Sequence, residues 1–358
     1  MKIFVGAGEP SGDRILSLLL SELRNRFPES EIRGYCGPLC EAQGIQSEVP
    51  FTTLAVNGVG DVLGKGFSLV WAYARFRKLL RDFRPDLVLL VDYPGMNVGL
   101  ARLAVCLHSQ VHYVAPPQLW AYRNPQRRIK RLRTELRGVS LQTLFPFEME
   151  SYAPWASRLR SGHFYHLPVS HAHSGKRLLL CPGSRAGVVR RNLTLWLNRL
   201  KELGLTEEID VLVPEHLKKL AERILAGQPT GRKQSYVVLT EPSVAFSRAK
   251  AAIAFPGTMT LELFLQRIPT VVWAILDPLT LMLGRRKLRH EFVALPNLLL
   301  GKQVFPEWIG TAEDFKRNPP SLSAWPVVSE QDLVAIQVKM GPSNGVDVGI
   351  QACVELLT

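Results

Sequence analysis

The feature that most constrains this chain is a pattern that starts twice. Lys2–Ala7 is a short apolar run ending in Gly-Ala-Gly, followed by an amphipathic stretch, Ser11–Phe27, with Ile15, Leu18, Leu19 and Leu23 on one face. Arg177–Cys181 is a second such run, followed by Pro182-Gly183-Ser184-Arg185 and a helical stretch to about Leu203. Near-continuous apolar runs of this length mark strands covered on both faces, as in a parallel sheet flanked by helices. Glu31–Cys36, Asp86–Asp92, Val111–Ala115 and Val139–Phe145 continue the first series. Ile209–Val213, Ser235–Leu239, Ala251–Phe255 and Thr270–Trp273 continue the second. Helices are expected at His216–Ala226, Val244–Ala249, Thr258–Arg267, Pro278–Arg286, Ser329–Lys339 and Gly345–Leu357. Two successive βα series predict an α/β chain of two doubly wound domains facing a cleft. The expected division is 1–168 and 169–342, with the last helix, about 343–358, rejoining the first domain. A ligand should lie at the carboxyl ends of the strands, between the halves.

Charge narrows the partners. Lys and Arg number 44 against 31 Asp and Glu, a net charge of +13 at pH 7. A field of that sign favours phosphorylated substrates, anionic lipid or nucleic acid. No apolar run reaches the ~18 residues of a membrane span. The apolar run after Met1 is too short for a signal peptide and reads as a first strand. Five scattered cysteines suit a cytosolic protein with reduced thiols. Cys36-Gly-Pro-Leu-Cys40 could be half of a metal site, but no second pair sits at zinc-finger spacing. His163, His166, His171 and His173 cluster in the expected interdomain linker, and no metal is expected there. Gly66–Arg84 mixes bulky apolar side chains with cations. It could lie in an anionic membrane surface, or it could be a core helix with a solvated basic side. Arg123–Arg137 carries seven cations and one Glu. It contains no recognised nucleic-acid reading motif, so no nucleic acid is expected as a partner.

The turns after the strands carry the candidate chemistry. Gly6-Ala-Gly8-Glu9-Pro10-Ser11-Gly12-Asp13 has one residue too many for a dinucleotide fingerprint, and no acidic residue closes the next strand. It still brings backbone N–H groups to a helix start, where an anion or a sugar hydroxyl can sit; a plain turn with Ser11 as helix cap is the alternative. Gly58–Gly66 resembles a phosphate loop but has the wrong spacing and Gly66 in place of Ser or Thr. In Pro182-Gly183-Ser184-Arg185 the glycine admits a ligand to the backbone and Arg185 can grip a diphosphate. Pro256-Gly257-Thr258 with Glu262 one turn on places hydroxyls and a carboxylate at another helix start, and a carboxylate can accept two ribose hydroxyls. Asp92 closes the strand Asp86–Asp92, with Tyr93-Pro94-Gly95-Met96-Asn97 read as a continuing loop. A carboxylate there is placed for a general base, or it caps the loop.

Taken in order, these pieces resemble the lipid-A-disaccharide synthase family. They are Ala7-Gly-Glu-Pro-Ser-Gly-Asp13, Leu54-Ala-Val-Asn-Gly58 with Val62-Leu-Gly64, Asp92-Tyr-Pro94 with Asn97, Tyr113-Val-Ala-Pro116 and Trp120-Ala121. They continue with Phe145-Pro-Phe-Glu148, Pro182-Gly-Ser-Arg185, Gly257-Thr258, Thr260-Leu-Glu262 and Leu295-Pro-Asn-Leu298, and span about residues 5–300. The resemblance implies two Rossmann-like domains in the GT-B arrangement. It implies inverting transfer, without metal or cofactor, of 2,3-diacylglucosamine from UDP to the 6-hydroxyl of 2,3-diacylglucosamine 1-phosphate. Asp92 would be the base and Arg185 the group that steadies the leaving UDP. Glu262, Thr258 and Asn297 would lie around the nucleotide with Ser184 and Gly257, while Glu9, Ser11, Gly12, Asp13 and Asn97 would line the cleft from the first domain. The implied setting is peripheral, on the anionic cytoplasmic face of the inner membrane, with a homodimer left open. The chain departs from the family pattern at Gly95, Val188, Pro256 and Gly310. A relative of the same fold that binds without catalysing, a nucleic-acid binder using Arg123–Arg137, and a UDP-sugar epimerase are the competing readings.

Overall fold

The computed structural model describes residues 1–54, 66–165, 175–205, 208–228, 235–287, 292–322 and 324–358. The glycine-rich stretch 55–65, the expected domain join at 168/169, and His166, His171 and His173 lie outside the described residues.

Two six-stranded sheets divide the chain. The first contains β1 (Lys2–Ala7), β2 (Glu31–Tyr35), β3 (Leu87–Val91), β4 (Gln110–Val114), β5 (Ser140–Thr143) and β6 (Arg158–Ser161) in the order β2-β1-β3-β4-β5-β6. The second contains β7 (Arg177–Cys181), β8 (Ile209–Leu212), β9 (Tyr236–Leu239), β10 (Ala249–Ala254), β11 (Thr270–Ile275) and β12 (Glu307–Gly310) in the order β12-β11-β10-β7-β8-β9. The ladders are parallel. The strand order reverses direction between β1 and β3 in the first sheet and between β7 and β10 in the second. Those reversals open crevices at the strands' carboxyl ends, where open α/β sheets bind ligands.

Burial follows the apolar runs. All five side chains of β3 are buried, each contributing about 1.5–3 kcal/mol relative to exposure. Tyr35 stacks on Phe76 with ring centroids 4.1 Å apart in the first core, and Trp196 meets Trp273 edge to face at 6.0 Å in the second. The last helix, Gly345–Leu357, packs Ile350, Cys353 and Leu356 against the Leu16, Leu19 and Val91 cluster of the first sheet. Gln142 Nε2 fastens it by donating to the Gly345 carbonyl at 2.9 Å.

Three local expectations change. The first helix runs Pro10–Arg26, so its cap is Glu9 rather than Ser11; proline suits a first helical position, where no N–H is required. Pro94 likewise opens a helix, Pro94–Cys106, where a continuing loop is expected from sequence. The edge strands β6 and β12 carry too few apolar side chains to be recognised by pattern. His163 of the histidine cluster is buried and structural, its ring nitrogens bonding the Gly341 carbonyl at 3.0 Å and the Tyr165 N–H at 3.2 Å.

Candidate active site

A cavity of about 560 Å³ joins the two crevices. The turns after β1 and β3 supply Glu9, Ser11, Arg14 and Asp92. The turns after β7 and β10 supply Ser184, Arg185, Gly257, Thr258 and Glu262. Every one of these side chains follows a strand that borders a reversal in strand order.

Asp92 is held in an unusual backbone shape. It has φ +49° and Tyr93 has φ +51°, two consecutive non-glycine residues in the left-handed region, each costing about 1 kcal/mol or more. The surroundings fix both. The Asp92 N–H donates to the Val114 carbonyl at 2.9 Å, while its own carbonyl accepts from Asn97 Nδ2 at 2.7 Å and from the Tyr113 hydroxyl at 2.9 Å. The Tyr35 hydroxyl donates to Asn97 Oδ1 in turn. The Tyr93 hydroxyl donates to the Leu54 carbonyl at 2.9 Å, and its ring lies where a Cβ on Gly8 would be, 2.4 Å from Cδ1. The Asp92 carboxyl is pushed up to about 7, first by burial and next by the negative charge of Glu9. The Tyr93 N–H and Arg185 oppose the rise, and Glu148 adds to it.

Arg185 is the N-cap residue of the helix Ala186–Glu202, and its side chain makes no cap hydrogen bond, which leaves the first N–H groups of that helix open to an anion. Its Nη2 reaches across the cleft to Glu9 Oε2 at 2.7 Å, and its buried Nε has no hydrogen-bond partner among the described residues. Gly183 makes the turn possible: φ is +118°, and a Cβ there would lie 2.9 Å from Val188 Cγ1. Asn192 Nδ2 ties the turn by donating to the Pro182 carbonyl at 2.8 Å. A second bridge crosses the cleft from Arg14 Nη1 to Glu262 Oε1 at 2.9 Å, on the helix Thr258–Leu265.

Four expected cleft residues are occupied elsewhere. Asp13 is buried, and its carboxylate accepts the N–H groups of Gly37 at 2.8 Å and Leu39 at 2.9 Å, bracing the loop after β2. Its oxygens lie near the thiols of Cys36 and Cys40, all within 4.8 Å, but both are already taken by backbone donors. Gly12 is buried where the first helix crosses β3; a Cβ there would sit 3.4 Å from the Val91 carbonyl. Asn97 is fully buried beneath Asp92. Asn297 is also fully buried: Oδ1 accepts from Val304 and Phe305, and Nδ2 donates to Glu307 at 2.7 Å. These side chains shape the loops that carry the site instead of lining it. Glu148 acts similarly, accepting from Trp120 Nε1 at 2.8 Å and from the Leu144 and Phe145 N–H groups. Arg14 is the cleft residue that motif reading misses. The available signal was its spacing, three residues after Ser11 on the same helix face.

Two parallel-sheet domains with a ligand cavity between their carboxyl edges, phosphate-type turns on one side and a half-buried carboxyl on the other, have the GT-B architecture. Fold comparison agrees: MurG of Acinetobacter baumannii superposes with a TM-score of 0.51 at 13% identity, covering 99% of both chains. The UDP-GlcNAc 2-epimerase of Neisseria meningitidis, solved with UDP-GlcNAc, gives 0.59 at 11% identity over 99% of this chain and 100% of that one. Sequence comparison is more specific. The lipid-A-disaccharide synthetase profile matches residues 3–332. The lipid-A-disaccharide synthase of Azotobacter vinelandii is 32% identical over 332 residues, 86% of this chain and 84% of the relative. That of Pseudomonas paraeruginosa is 32% identical over 337 residues, 87% of this chain and 86% of the relative. The chain belongs to the lipid-A-disaccharide synthetase family.

Proposed function

We propose that this chain moves 2,3-diacylglucosamine from UDP-2,3-diacylglucosamine to the 6-hydroxyl of 2,3-diacylglucosamine 1-phosphate. The products are UDP and the β-1,6-linked disaccharide 1-phosphate, formed with inversion and without a metal. The observation that carries this reading is that Asp92 and Arg185, from opposite domains, line one cavity. A carboxyl pushed up to about 7 is matched to taking a hydroxyl proton near neutral pH. The acceptor oxygen then forms its bond to the anomeric carbon as the bond to the diphosphate breaks in line, and UDP leaves with that electron pair. Arg185 and the N-termini of Ala186–Glu202 and Thr258–Leu265 meet the negative charge that develops on the leaving oxygen. Ser184, Gly257 and Thr258 surround the phosphates, and Glu262 takes the ribose hydroxyls.

The work is done at the cytoplasmic face of the inner membrane, where both lipid substrates reside. Among the described residues no helix is long and apolar enough to cross a membrane. Exposed Phe67, Val70 and Trp71 on the helix Gly66–Phe83 supply a surface contact instead. The decisive experiment is UDP release with and without the lipid acceptor. Asp92→Ala and Arg185→Ala should each lower acceptor-dependent turnover at least ~100-fold while melting close to wild type, on the scale of lost acid–base or charge stabilisation. Near-normal turnover in either variant refutes the assignment. Release that needs no acceptor favours epimerase-like chemistry.

A further inference from the structure

The cavity holds an electrostatic puzzle. Among the described residues that line it, the carboxylates are Glu9, Asp92 and Glu262, and the cations are Arg14 and Arg185. A substrate pair bearing a diphosphate and a sugar phosphate is strongly anionic, yet each arginine is already spent on a carboxylate of the opposite domain. The two bridges match each other. Arg14 of the first domain grips Glu262 of the second at 2.9 Å, and Arg185 of the second grips Glu9 of the first at 2.7 Å. Neither is sealed from solvent: the side chains of Arg14 and Arg185 are 41% and 25% exposed. Their carboxylates, Glu262 and Glu9, are 14% and 30% exposed, so these are half-open pairs that a better partner entering from the cavity can displace. A phosphate is such a partner for a guanidinium, because it accepts two parallel N–H bonds.

We propose that Arg14 is a second phosphate-binding residue of the cleft, held in reserve by Glu262 and released when a ribose takes that carboxylate. This inference rests on the transferase reading for the identity of the substrates, and on the two cross-cleft bridges for the residue itself. Binding then exchanges partners. The ribose hydroxyls donate to Glu262, which frees Arg14, and the guanidinium turns to a phosphate within the same cavity. That phosphate belongs either to the UDP diphosphate or to the acceptor 1-phosphate, since Arg14 stands on the first domain at the mouth they share.

The test uses the full chain with Arg14→Gln and Arg14→Lys. Calorimetry gives the affinities for UDP and uridine. Turnover gives KM for the acceptor with and without its 1-phosphate. Arg14→Gln should weaken the ligand whose phosphate Arg14 holds by about tenfold or more, the scale of a lost charge-assisted bond. It should not weaken uridine, whose ribose no longer competes with Arg14 for Glu262, or the dephosphorylated acceptor, and Arg14→Lys should recover part of the loss. Loss at UDP assigns the donor phosphate; loss at the phosphorylated acceptor assigns the 1-phosphate. The proposal is overturned if Arg14→Gln changes neither phosphorylated ligand. It is equally overturned if uridine weakens as much as UDP, which would make Arg14 a prop for Glu262. If the wild-type chain transfers no sugar while Arg14 still governs UDP affinity, the transferase reading fails and this inference stands.

Discussion

Asp92 is a carboxylate whose neighbours pull in opposite directions. Burial and Glu9 favour its neutral form; the Tyr93 N–H and Arg185 favour its charge, and the balance is pushed up to about 7. Two consequences follow from the sign. A base must be ionised to accept a proton, so the acid limb of the kcat/KM profile should have its midpoint near 7, not near the value of about 4 for an ordinary aspartate. A profile already flat from pH 5 upward would show that another group sets the limb. Stability runs the other way. A carboxyl raised on folding contributes stability that is complete below its unfolded value of about 3.9 and is lost as pH rises through about 7. Asp92→Asn, which cannot ionise, should therefore melt above wild type at pH 8, with the difference shrinking toward pH 4. Melting below wild type at pH 8 would mean that the attraction to Arg185 outweighs burial.

At the scale of elements, the turn between β3 and the helix Pro94–Cys106 is the site's mount. Its two left-handed residues are paid for by bonds to the Asp92 carbonyl from Asn97 and Tyr113, which come from the next helix and the next strand. Tyr113→Phe removes one of the two donors and keeps the ring packing. We expect kcat to fall roughly fivefold to tenfold with KM nearly unchanged, the size of one hydrogen bond, as the carboxyl loses its aim. An equal rise in KM would mean that the hydroxyl supports binding and not the base. The same turn marks the limit of what the sequence conveys. The apolar run Asp86–Asp92 gives the strand and puts Asp92 at its end, because alternation with helices is written in side-chain character. Whether Asn97 faces the cleft or lies under it depends on the sense in which the chain leaves the strand, which Asp92-Tyr93 sets through left-handed dihedrals that no pattern records. Asp13, Asn97 and Asn297 look like cleft ligands because polar residues in loop motifs serve binding and bracing alike; only their saturated hydrogen bonds tell them apart. Arg14 was missed for the complementary reason, since a basic residue on an amphipathic helix looks like a solvated face.

On the proposed function the whole molecule must bring this cleft to lipid-bearing substrates, and the helix Gly66–Phe83 has the orientation to do so. It leads into β3 as a crossover helix and so runs antiparallel to the parallel strands, which puts its first turns at the strands' carboxyl edge, the edge that holds the cavity. Its inner face buries Ala72, Phe76, Leu80 and Phe83 at helical spacing. Phe67 is 89% exposed and Val70 68%, side chains that the core does not use, and Trp71 beside them is half exposed. Arg75, Arg77, Lys78 and Arg81 follow on the same helix, within a chain of net charge +13. Apolar tips backed by cations suit a surface of anionic lipid, where each fully buried side chain contributes about 1.5–3 kcal/mol and the cations add a salt-dependent attraction. Phe67→Asp combined with Val70→Asp should lower co-sedimentation with phosphatidylglycerol vesicles at least ~10-fold, since it removes insertion and adds repulsion. The affinity for UDP should not change. Phosphatidylcholine vesicles should bind wild type more weakly than anionic ones, and raising the salt should narrow that gap. If the double variant sediments with anionic vesicles as well as wild type, the contact lies elsewhere on the basic surface. The strongest alternative is then Gln126–Glu135, whose five cations leave Leu132 as its buried apolar anchor.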